Sequence, residues 1–394
     1  MLYLYPTMLD KDEGIGERMR AFIGALLLYC LSTAFADELV GFSAYENGDY
    51  TTAYPHLMQA TREGNEEAMY LLGRMYEYGY GVLKDTGKAR EWYLKSAEKN
   101  YPLAQLSLGF IYDSGKGVSQ SFPEAFKWYM KSAAQGNPVA QRNIGLMYSA
   151  GDGVQASEVM AFDWFKKSAE QGYSKAQVNL GYQYMTGKGT AKDVNKAFEW
   201  FQKAAEQGDD QGQYSLAMLY TGQKGGIPID DSSAFYWFSQ AANQGNLNAQ
   251  AYLGYYYLNG LGVSKDPKKA AYWYQAAAER GHPEAQAQIG QLLLTGTGVD
   301  KDYEQAAYWF RKSAEQGNSL GQARLGYMYL AGVGLPQDDV KAYAWLKLAA
   351  DGKNAEATKE LKALDSKLTE QDKKNAEKII KDLGPMENKN ANNE

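Results

Sequence analysis

The feature that most constrains this chain is a glycine, replaced once by alanine, that recurs every 36 residues with a single step of 37. The eight positions are Gly73, Gly109, Gly145, Gly181, Ala217, Gly254, Gly290 and Gly326. The chain has eight tryptophans, and each lies 19 or 20 residues after one of these positions. A fixed period of this length indicates a repeat architecture in which each unit stacks on its neighbours. The 394 residues therefore predict one elongated array rather than two or three globular domains.

Each repeat carries two apolar stripes with helical spacing. In the second repeat, apolar residues recur three and four positions apart from residue 104 to 112 and again from 125 to 133. This spacing places them on one face of a helix. Between the stripes lies Gly115-Lys116-Gly117-Val118, and glycine tolerates the positive φ at which a helix ends and the chain turns. Each repeat is predicted to be a helical hairpin, and the fold class all-α.

The recurring segments are Ala-Gln-x-x-Leu-Gly-x-x-Tyr, Gly-x-Gly-Val, Lys-Asp, Lys-Ala-x-x-Trp-Tyr and Ala-Ala-Glu-Gln-Gly. Together they resemble the Sel1-like repeat, a relative of the tetratricopeptide repeat, over roughly residues 41 to 366. The resemblance implies a right-handed α/α superhelical solenoid of eight Sel1-like repeats with N- and C-terminal capping helices. It also implies a protein-binding function. Exported bacterial members of this length include a host-cell entry factor, so a role in infection is part of the expectation.

Residues 1–36 have the pattern of a secretory signal peptide. Arg18 and Arg20 precede the apolar run 21–31, and Ala34-Phe35-Ala36 gives a small-residue cleavage site. We therefore expect an exported protein, periplasmic or secreted, with no membrane span after cleavage, because the run is short and no stop-transfer pattern follows. Two alternatives stay open: translation from Met19, which would leave out residues 1–18, and a buried helix that packs on the solenoid. Lipid attachment at Cys30 is disfavoured by the bulky tyrosine before it.

The repeat pattern divides residues 37–394 into four segments. Residues 37–63 read as an N-terminal capping hairpin, residues 64–352 as the eight repeats and residues 353–383 as C-terminal capping helices. Residues 384–394 are polar and predict a disordered tail. Removal of the signal peptide would take away the single cysteine, so stability must come from stacking rather than from disulfides.

The charge pattern argues against a nucleic-acid partner. The net charge is −6, with 41 basic and 47 acidic residues, so the chain is mildly acidic. Such a chain is a poor binder of nucleic acid or anionic membranes. The predicted partner is therefore a protein or peptide ligand, either an envelope protein of the same cell or a host protein, and we expect a monomer.

No catalytic, cofactor or metal site is predicted. The repeated Gly-x-Gly follows a helix and lacks the third glycine of a dinucleotide fingerprint. The two histidines, His56 and His282, are far apart, and no nucleophile motif or metal-ligand spacing is present. The aspartates of the recurring Lys-Asp pairs are predicted to be helix N-caps, because they recur with the repeat, whereas a catalytic acid would occur once. They are Asp85, Asp193, Asp266 and Asp302.

The tryptophan stripe is predicted to be core, since an aromatic residue that recurs once per repeat at helical spacing packs between hairpins. The positions that the repeat does not dictate are more informative about function. In the related tetratricopeptide geometry, the residue after the helix glycine faces a concave groove. Here that series is mostly large and apolar, and the series three residues later changes from acidic to apolar along the chain.

Exposed apolar patches usually mark interaction sites, so these positions are the predicted protein-binding groove. They are Arg74, Phe110, Leu146, Tyr182, Met218, Tyr255 and Tyr327 in the first series, and Glu77, Asp113, Met185, Leu258, Leu294 and Leu330 in the second. Glu77 and Asp113 favour a basic ligand segment at one end.

Two alternatives to this groove hypothesis stay open. The apolar side chains could pack on one another across a tightly curved groove. The protein could also be a cell-envelope factor that binds peptidoglycan or another glycan, because aromatic rings stack on sugars. A glycan site needs polar groups beside the rings, and the C-terminal positions of the groove offer none: Leu258, Ala287, Leu294, Ala323 and Leu330.

Overall fold

The computed structural model describes residues 39–223 and 225–383, and all regular secondary structure in these ranges is helical. The predicted signal peptide and the C-terminal tail lie outside the described residues. The helices are α1 (39–46), α2 (Tyr50–Arg62), α3 (Glu66–Tyr78), α4 (Thr86–Glu98), α5 (Pro102–Ser114), α6 (Phe122–Ala134), α7 (Pro138–Ala150), α8 (Glu158–Glu170), α9 (Ser174–Thr186), α10 (Val194–Glu206), α11 (Asp210–Tyr220), α12 (Asp231–Asn243), α13 (Leu247–Asn259), α14 (Pro267–Glu279), α15 (Pro283–Thr295), α16 (Tyr303–Glu315), α17 (Ser319–Ala331), α18 (Asp339–Asp351), α19 (Ala355–Asp365) and α20 (Glu370–Leu383).

Each repeat is a hairpin of a first helix and a second helix, beginning with α3 and α4 and ending with α17 and α18. The chain forms two compact units. The first contains the described residues up to Tyr173 together with Lys188–Thr190, and the second contains Ser174–Gly187 and the described residues from Ala191 onward. Within each unit, every second helix also packs on the first helix of the following repeat. The prediction of an all-α array of stacked hairpins is confirmed.

The predicted N-caps are present. Asp85, Asp193, Asp266 and Asp302 each precede a second helix, and a side-chain oxygen of each accepts a hydrogen bond from a backbone amide three residues later at 2.9 to 3.0 Å. An amide in the first turn of a helix has no partner within the helix, so these carboxylates satisfy an otherwise unpaired donor. Their recurrence is therefore explained by helix initiation.

The recurring glycine is a contact site for an aromatic ring. A Cβ atom added to Gly181 would lie 2.5 Å from the Phe201 ring on the second helix of the same repeat, and one added to Gly145 would lie 2.6 Å from Phe165. Both rings are buried. The glycine thus lets the two helices of a hairpin approach closely enough to bury a large ring between them.

In the first seven repeats the residue after the tryptophan is an aromatic side chain that is at most 2% exposed, and in the eighth it is the fully buried Leu346. The prediction that the tryptophan stripe is core is correct for the buried Trp128, Trp164, Trp309 and Trp345. Trp92, Trp237 and Trp273 are half-buried but still pack against core clusters, and Trp200 is half-buried. Successive helical residues are rotated by about 100°, so only one of two neighbours can point straight at the first helix. The ammonium group of Lys203, for example, lies 4.0 Å from the centre of the Trp200 ring.

A buried glutamine joins consecutive repeats. Gln286 donates from Nε2 to the carbonyl oxygen of Ala278 in the preceding repeat at 3.1 Å, and its Oε1 accepts from Gln316 in its own repeat at 2.8 Å. The same pairing within a repeat recurs at 2.7 to 2.8 Å for Gln105 and Gln135, Gln141 and Gln171, Gln177 and Gln207, and Gln213 and Gln244. We call this set of glutamines the glutamine ladder.

Helices outside the eight repeats cover the ends of the array. In the first unit, apolar residues of α1 and α2, among them Phe42 and Leu57, share a core cluster with Leu72 of α3. In the second unit, Leu364 of α19 and Ala376 of α20 share a cluster with the residues of α18. Both ends therefore have the capping helices that the sequence predicts.

Candidate functional site

The predicted groove residues lie on the first helices, but their exposure varies. Phe110 and Leu146 in the first unit are 46% and 38% exposed, and Tyr255 in the second unit is 48% exposed. Arg74, Tyr182 and Tyr327 are half-buried. Met218 is buried in the core of the second unit, so it offers no surface to a ligand.

The second predicted series is more engaged in packing than the first. Leu258 packs against the core cluster around α14 and α15, while Leu294 and Leu330 pack against the cluster around α17 and α18. Met185 packs in the same way near α10. These four residues are half-buried, and part of each side chain contributes to the hydrophobic core.

Each predicted acidic residue has a partner in its own unit. Glu77 accepts a hydrogen bond from the Tyr93 hydroxyl at 2.6 Å, and its other oxygen forms an ion pair with Lys116 at 3.0 Å. Asp113 accepts from the Tyr129 hydroxyl at 3.3 Å. Burial, helped by the neighbouring carboxylate, raises the pKa of both tyrosines. The charge of Glu77 is therefore already balanced, which weakens the expectation of a basic ligand segment at this end.

Tyr182 is held by its hydroxyl group. The hydroxyl lies 2.8 Å from Ser215 Oγ and accepts a hydrogen bond from Gln211 Nε2 at 2.8 Å. The ring meets Phe201 edge to face with 5.1 Å between centroids. This residue links two successive first helices of the second unit and is less available to a ligand than Tyr255.

A cavity of about 400 Å³ lies beside Tyr255 in the second unit. Three successive first helices, α11, α13 and α15, supply most of its lining, which consists of Tyr214, Gln223, Asn248, Ala251, Tyr252, Tyr255, Tyr274, His282, Glu284 and Gln288. Pockets for small ligands typically measure about 300 to 1,000 Å³. Tyr274 and Ala251 are buried, whereas Tyr255 and Glu284 are exposed. The cavity thus has a buried floor and an open rim, and we call it the tyrosine cavity.

Glu284 is the one acidic residue of the described lining. Its two carboxylate oxygens accept hydrogen bonds from the side-chain amides of Gln288 and Asn318, both at 2.9 Å. These donors are neutral, so the negative charge remains. Burial and this carboxylate raise the pKa of Tyr274, which keeps its hydroxyl protonated.

His282 is the N-cap of α15. Its Nδ1 accepts a hydrogen bond from the backbone amide of Ala285 at 3.2 Å, so that nitrogen carries no proton. Burial lowers the pKa of His282 more than the nearby Glu284 raises it. The ring is therefore neutral near pH 7 and acts as a structural cap.

Sequence reasoning missed most of this cavity. It followed the positions one and four residues after the helix glycine, whereas Asn248 and Tyr252 lie six and two residues before Gly254. Asn248, Tyr252 and Tyr255 are spaced i, i+4, i+7 and share one helical face. The same spacing places Glu284 and Gln288 together on the next first helix. The predicted groove series compare positions one helical turn apart, whereas Asn248, Tyr252 and Tyr255 are related over two turns.

Neither a metal cluster nor a membrane-spanning helix is found in the part of the chain that the structure describes. Its residues include no group of three or more histidine, cysteine, aspartate or glutamate side chains able to hold a metal ion. Among the helices that the structure describes, none has the length and apolar character needed to cross a membrane.

The profile of the Sel1 repeat matches eight consecutive segments: residues 66–101, 102–137, 138–173, 174–209, 210–246, 247–282, 283–318 and 319–354. The chain belongs to the Sel1 repeat family. Sel1 repeat proteins generally mediate protein–protein interactions, and scaffolds of this kind are typically non-enzymatic. A comparison with curated proteins finds no match.

Two solved structures are similar over most of this Sel1 repeat chain. A protective antigen present in uropathogenic Escherichia coli strains, which displays the same repeat fold, is 32% identical with a TM-score of 0.51, and the match covers 90% of this chain and 84% of the antigen. A Sel1 repeat protein from Oxalobacter formigenes is 34% identical with a TM-score of 0.59, and the match covers 79% of this chain and 90% of that protein.

Proposed function

We propose that this protein is an exported scaffold that binds a protein or an extended peptide on the face formed by the first helices of its repeats. The observation that carries the proposal is the exposure of large apolar side chains at one repeat position, with Phe110 and Leu146 on successive first helices of the first unit. Neither helix formation nor capping requires an apolar residue there. Exposed apolar residues grouped on one face are typical of interaction sites.

The test compares two faces of the same unit. Phe110→Ala and Leu146→Ala remove exposed side chains from first helices, and Val159→Ala removes a 59% exposed side chain from the second helix α8. Truncation of a central anchor costs about 2 kcal/mol, which is roughly a thirty-fold loss of affinity. We expect that loss for the first two variants and little change for the third. Partners would first be captured by crosslinking to the full chain in extracts of the producing cell and of host cells.

The opposite pattern would contradict the proposal. If Val159→Ala weakened binding while Phe110→Ala and Leu146→Ala left it unchanged, the partner would lie on the second helices. Thermal unfolding of each variant, followed by circular dichroism, separates loss of binding from loss of fold.

Export is the second part of the proposal, and its support is the pattern of residues 1–36. The similarity to a protective antigen of uropathogenic Escherichia coli also supports it. Mass spectrometry of exported protein should find Asp37 at or near the new N-terminus. Soluble cytoplasmic protein that retains Met1 or Met19 would overturn it.

A host partner during bacterial entry is the finer form of the proposal. It rests on the resemblance to the host-cell entry factor LpnE, and neither solved structure described above is that factor. The crosslinking experiment separates a host partner from a partner in the producing cell's own envelope.

A glycan ligand is the second candidate function, and the tyrosine cavity is the observation that favours it. Tyrosine rings there stand beside the amides of Asn248, Gln223 and Gln288. Such polar neighbours are what a sugar site requires, and the C-terminal groove positions lack them. Binding of peptidoglycan fragments that survives every substitution on the first helices would exclude this cavity as the sugar site.

A further inference from the structure

We propose that the tyrosine cavity binds the positively charged side chain of an arginine or lysine in the partner. This inference rests on the proposed function, because it assigns a specificity subsite to first helices of the second unit. It adds the chemical class of the group that is recognised. Three features of the cavity support it.

The first feature is the aromatic lining. Four of the lining side chains are tyrosines, three on first helices and Tyr274 on α14. Tyr214 and Tyr252 form a tilted pair with 6.0 Å between ring centroids, and Tyr255 is 48% exposed beside them. The face of an aromatic ring carries negative charge density and attracts a cation that lies within about 6 Å of its centre. Several rings around one cavity are an arrangement that holds an ammonium or guanidinium group.

The second feature is the charge balance. Glu284 is the charged group of the described lining, which contains neither lysine nor arginine. Its hydrogen-bond donors, Gln288 and Asn318, are neutral amides, and each carboxylate oxygen retains lone pairs for a further donor. His282 does not compensate, because its Nδ1 accepts a backbone hydrogen bond. The cavity therefore carries a net negative charge that a cationic ligand would balance.

The third feature is the geometry of the polar groups. Glu284 is exposed, and the tyrosines of the lining range from the exposed Tyr255 to the buried Tyr274. A long side chain with an apolar stem and a charged end can place its stem against the rings while its nitrogen atoms reach the carboxylate. A neutral sugar would also meet rings and amides, but it would leave the carboxylate charge unbalanced.

The experiment uses the full chain and three small probes: N-acetyl-arginine amide, its neutral isostere N-acetyl-citrulline amide, and the disaccharide chitobiose. Saturation-transfer NMR titration measures the affinity of each. We expect the arginine probe to bind about ten-fold more tightly than the citrulline probe, in line with the strength of cation–π and charge contacts. The preference should shrink as salt is added, because exposed charges are screened.

Matched substitutions locate the site. Glu284→Gln keeps the shape of the side chain and should remove the preference for arginine. Tyr255→Ala should weaken arginine binding about ten-fold, whereas Tyr255→Phe, which keeps the ring, should not. Glu304→Gln changes an exposed carboxylate at the start of α16, and Tyr272→Ala removes a 65% exposed tyrosine from the second helix α14. Neither control should alter binding.

Three results would overturn the inference: equal binding of arginine and citrulline, binding of chitobiose in place of arginine, or no signal from any probe. Peptides are then selected from a display library for binding to the full chain. They distinguish failure of the cationic subsite from failure of the proposed function. Peptides that Phe110→Ala weakens and Glu284→Gln does not would leave the proposed function intact while refuting the cationic subsite.

Discussion

Replacing Phe201 with alanine should destabilise the second unit by about 3–5 kcal/mol, whereas the same change at its neighbour Trp200 should cost about 1–2 kcal/mol. The two residues are adjacent on α10 and both are aromatic. Their environments differ, because Phe201 is fully buried against Gly181 and Trp200 is half-buried.

The magnitudes follow from these environments. A buried phenylalanine removes about 150–250 Å² from water, and at about 25 cal/mol per Å² this is worth roughly 4–6 kcal/mol, part of which alanine retains. The Phe201 site cannot collapse easily, because α9 and α10 already pack closely at Gly181. Trp200 loses less buried area, together with the contact of Lys203 with its ring, which is worth about 0.5–1 kcal/mol at an exposed site.

The assay is guanidinium denaturation of the full chain followed by circular dichroism, with hydrogen exchange of the amides in α9 and α10 as the local measure. The local measure is needed because a long array of repeats need not unfold in one step. Equal losses for the two variants, or a larger loss for Trp200→Ala, would refute the assignment of the buried ring to the position after the tryptophan.

Three further predictions concern single contacts. Gly145→Ala should cost about 1–3 kcal/mol by overpacking against the Phe165 ring, and an unchanged melting temperature would show that α7 and α8 separate freely. Asp266→Ala should cost about 1 kcal/mol by removing the N-cap of α14, and Asp266→Asn should restore most of that loss in the same thermal scan. Gln286→Leu should cost about 0.5–1.5 kcal/mol, because the carbonyl oxygen of Ala278 loses its side-chain donor but keeps the backbone amide of Gly281; a neutral result in urea denaturation would mean that the glutamine ladder carries no stability.

Much of the fold could be predicted from the sequence because the apolar spacing, the turn glycines and the N-cap aspartates all recur with the same period. The period predicts the hairpins and the Lys-Asp pairs predict the N-caps, whereas the contact of the recurring glycine with a buried ring is seen only in the structure. The partition of aromatic residues could not be predicted in the same way. Trp200 and Phe201 are neighbours in an apolar stripe, and which of them points at Gly181 depends on the rotation of α10 about its axis.

The candidate site was less predictable than the fold. Phe110, Leu146 and Tyr255 were identified because the position after the glycine recurs, and the structure places all three at the surface. Met218 occupies the same position in the fifth repeat but is buried in the core of the second unit. The tyrosine cavity depends on which side chains three consecutive first helices bring together, and no single repeat contains that information.

The glutamine ladder has a consequence for how arrays of this kind can change in length. In most repeats a buried glutamine donates to an alanine carbonyl of the preceding repeat and accepts from a glutamine of its own repeat, as Gln213 does with Ala205 and Gln244. The pattern is incomplete elsewhere: the first repeat has Met69 at this position, the sixth pairs Gln250 with Arg280, and the eighth has Gly352 at the partner position. A duplicated block of whole repeats that carry the complete pattern would therefore keep these side-chain hydrogen bonds at both of its ends, whereas a partial block would lose some of them. The fifth repeat shows how much variation this allows: its extra residue places Gln213 and Gln244 31 positions apart instead of 30, yet the hydrogen bond between them is still 2.8 Å long. Duplication of whole repeats and changes of length in the turns are thus both compatible with the buried hydrogen bonds of the glutamine ladder.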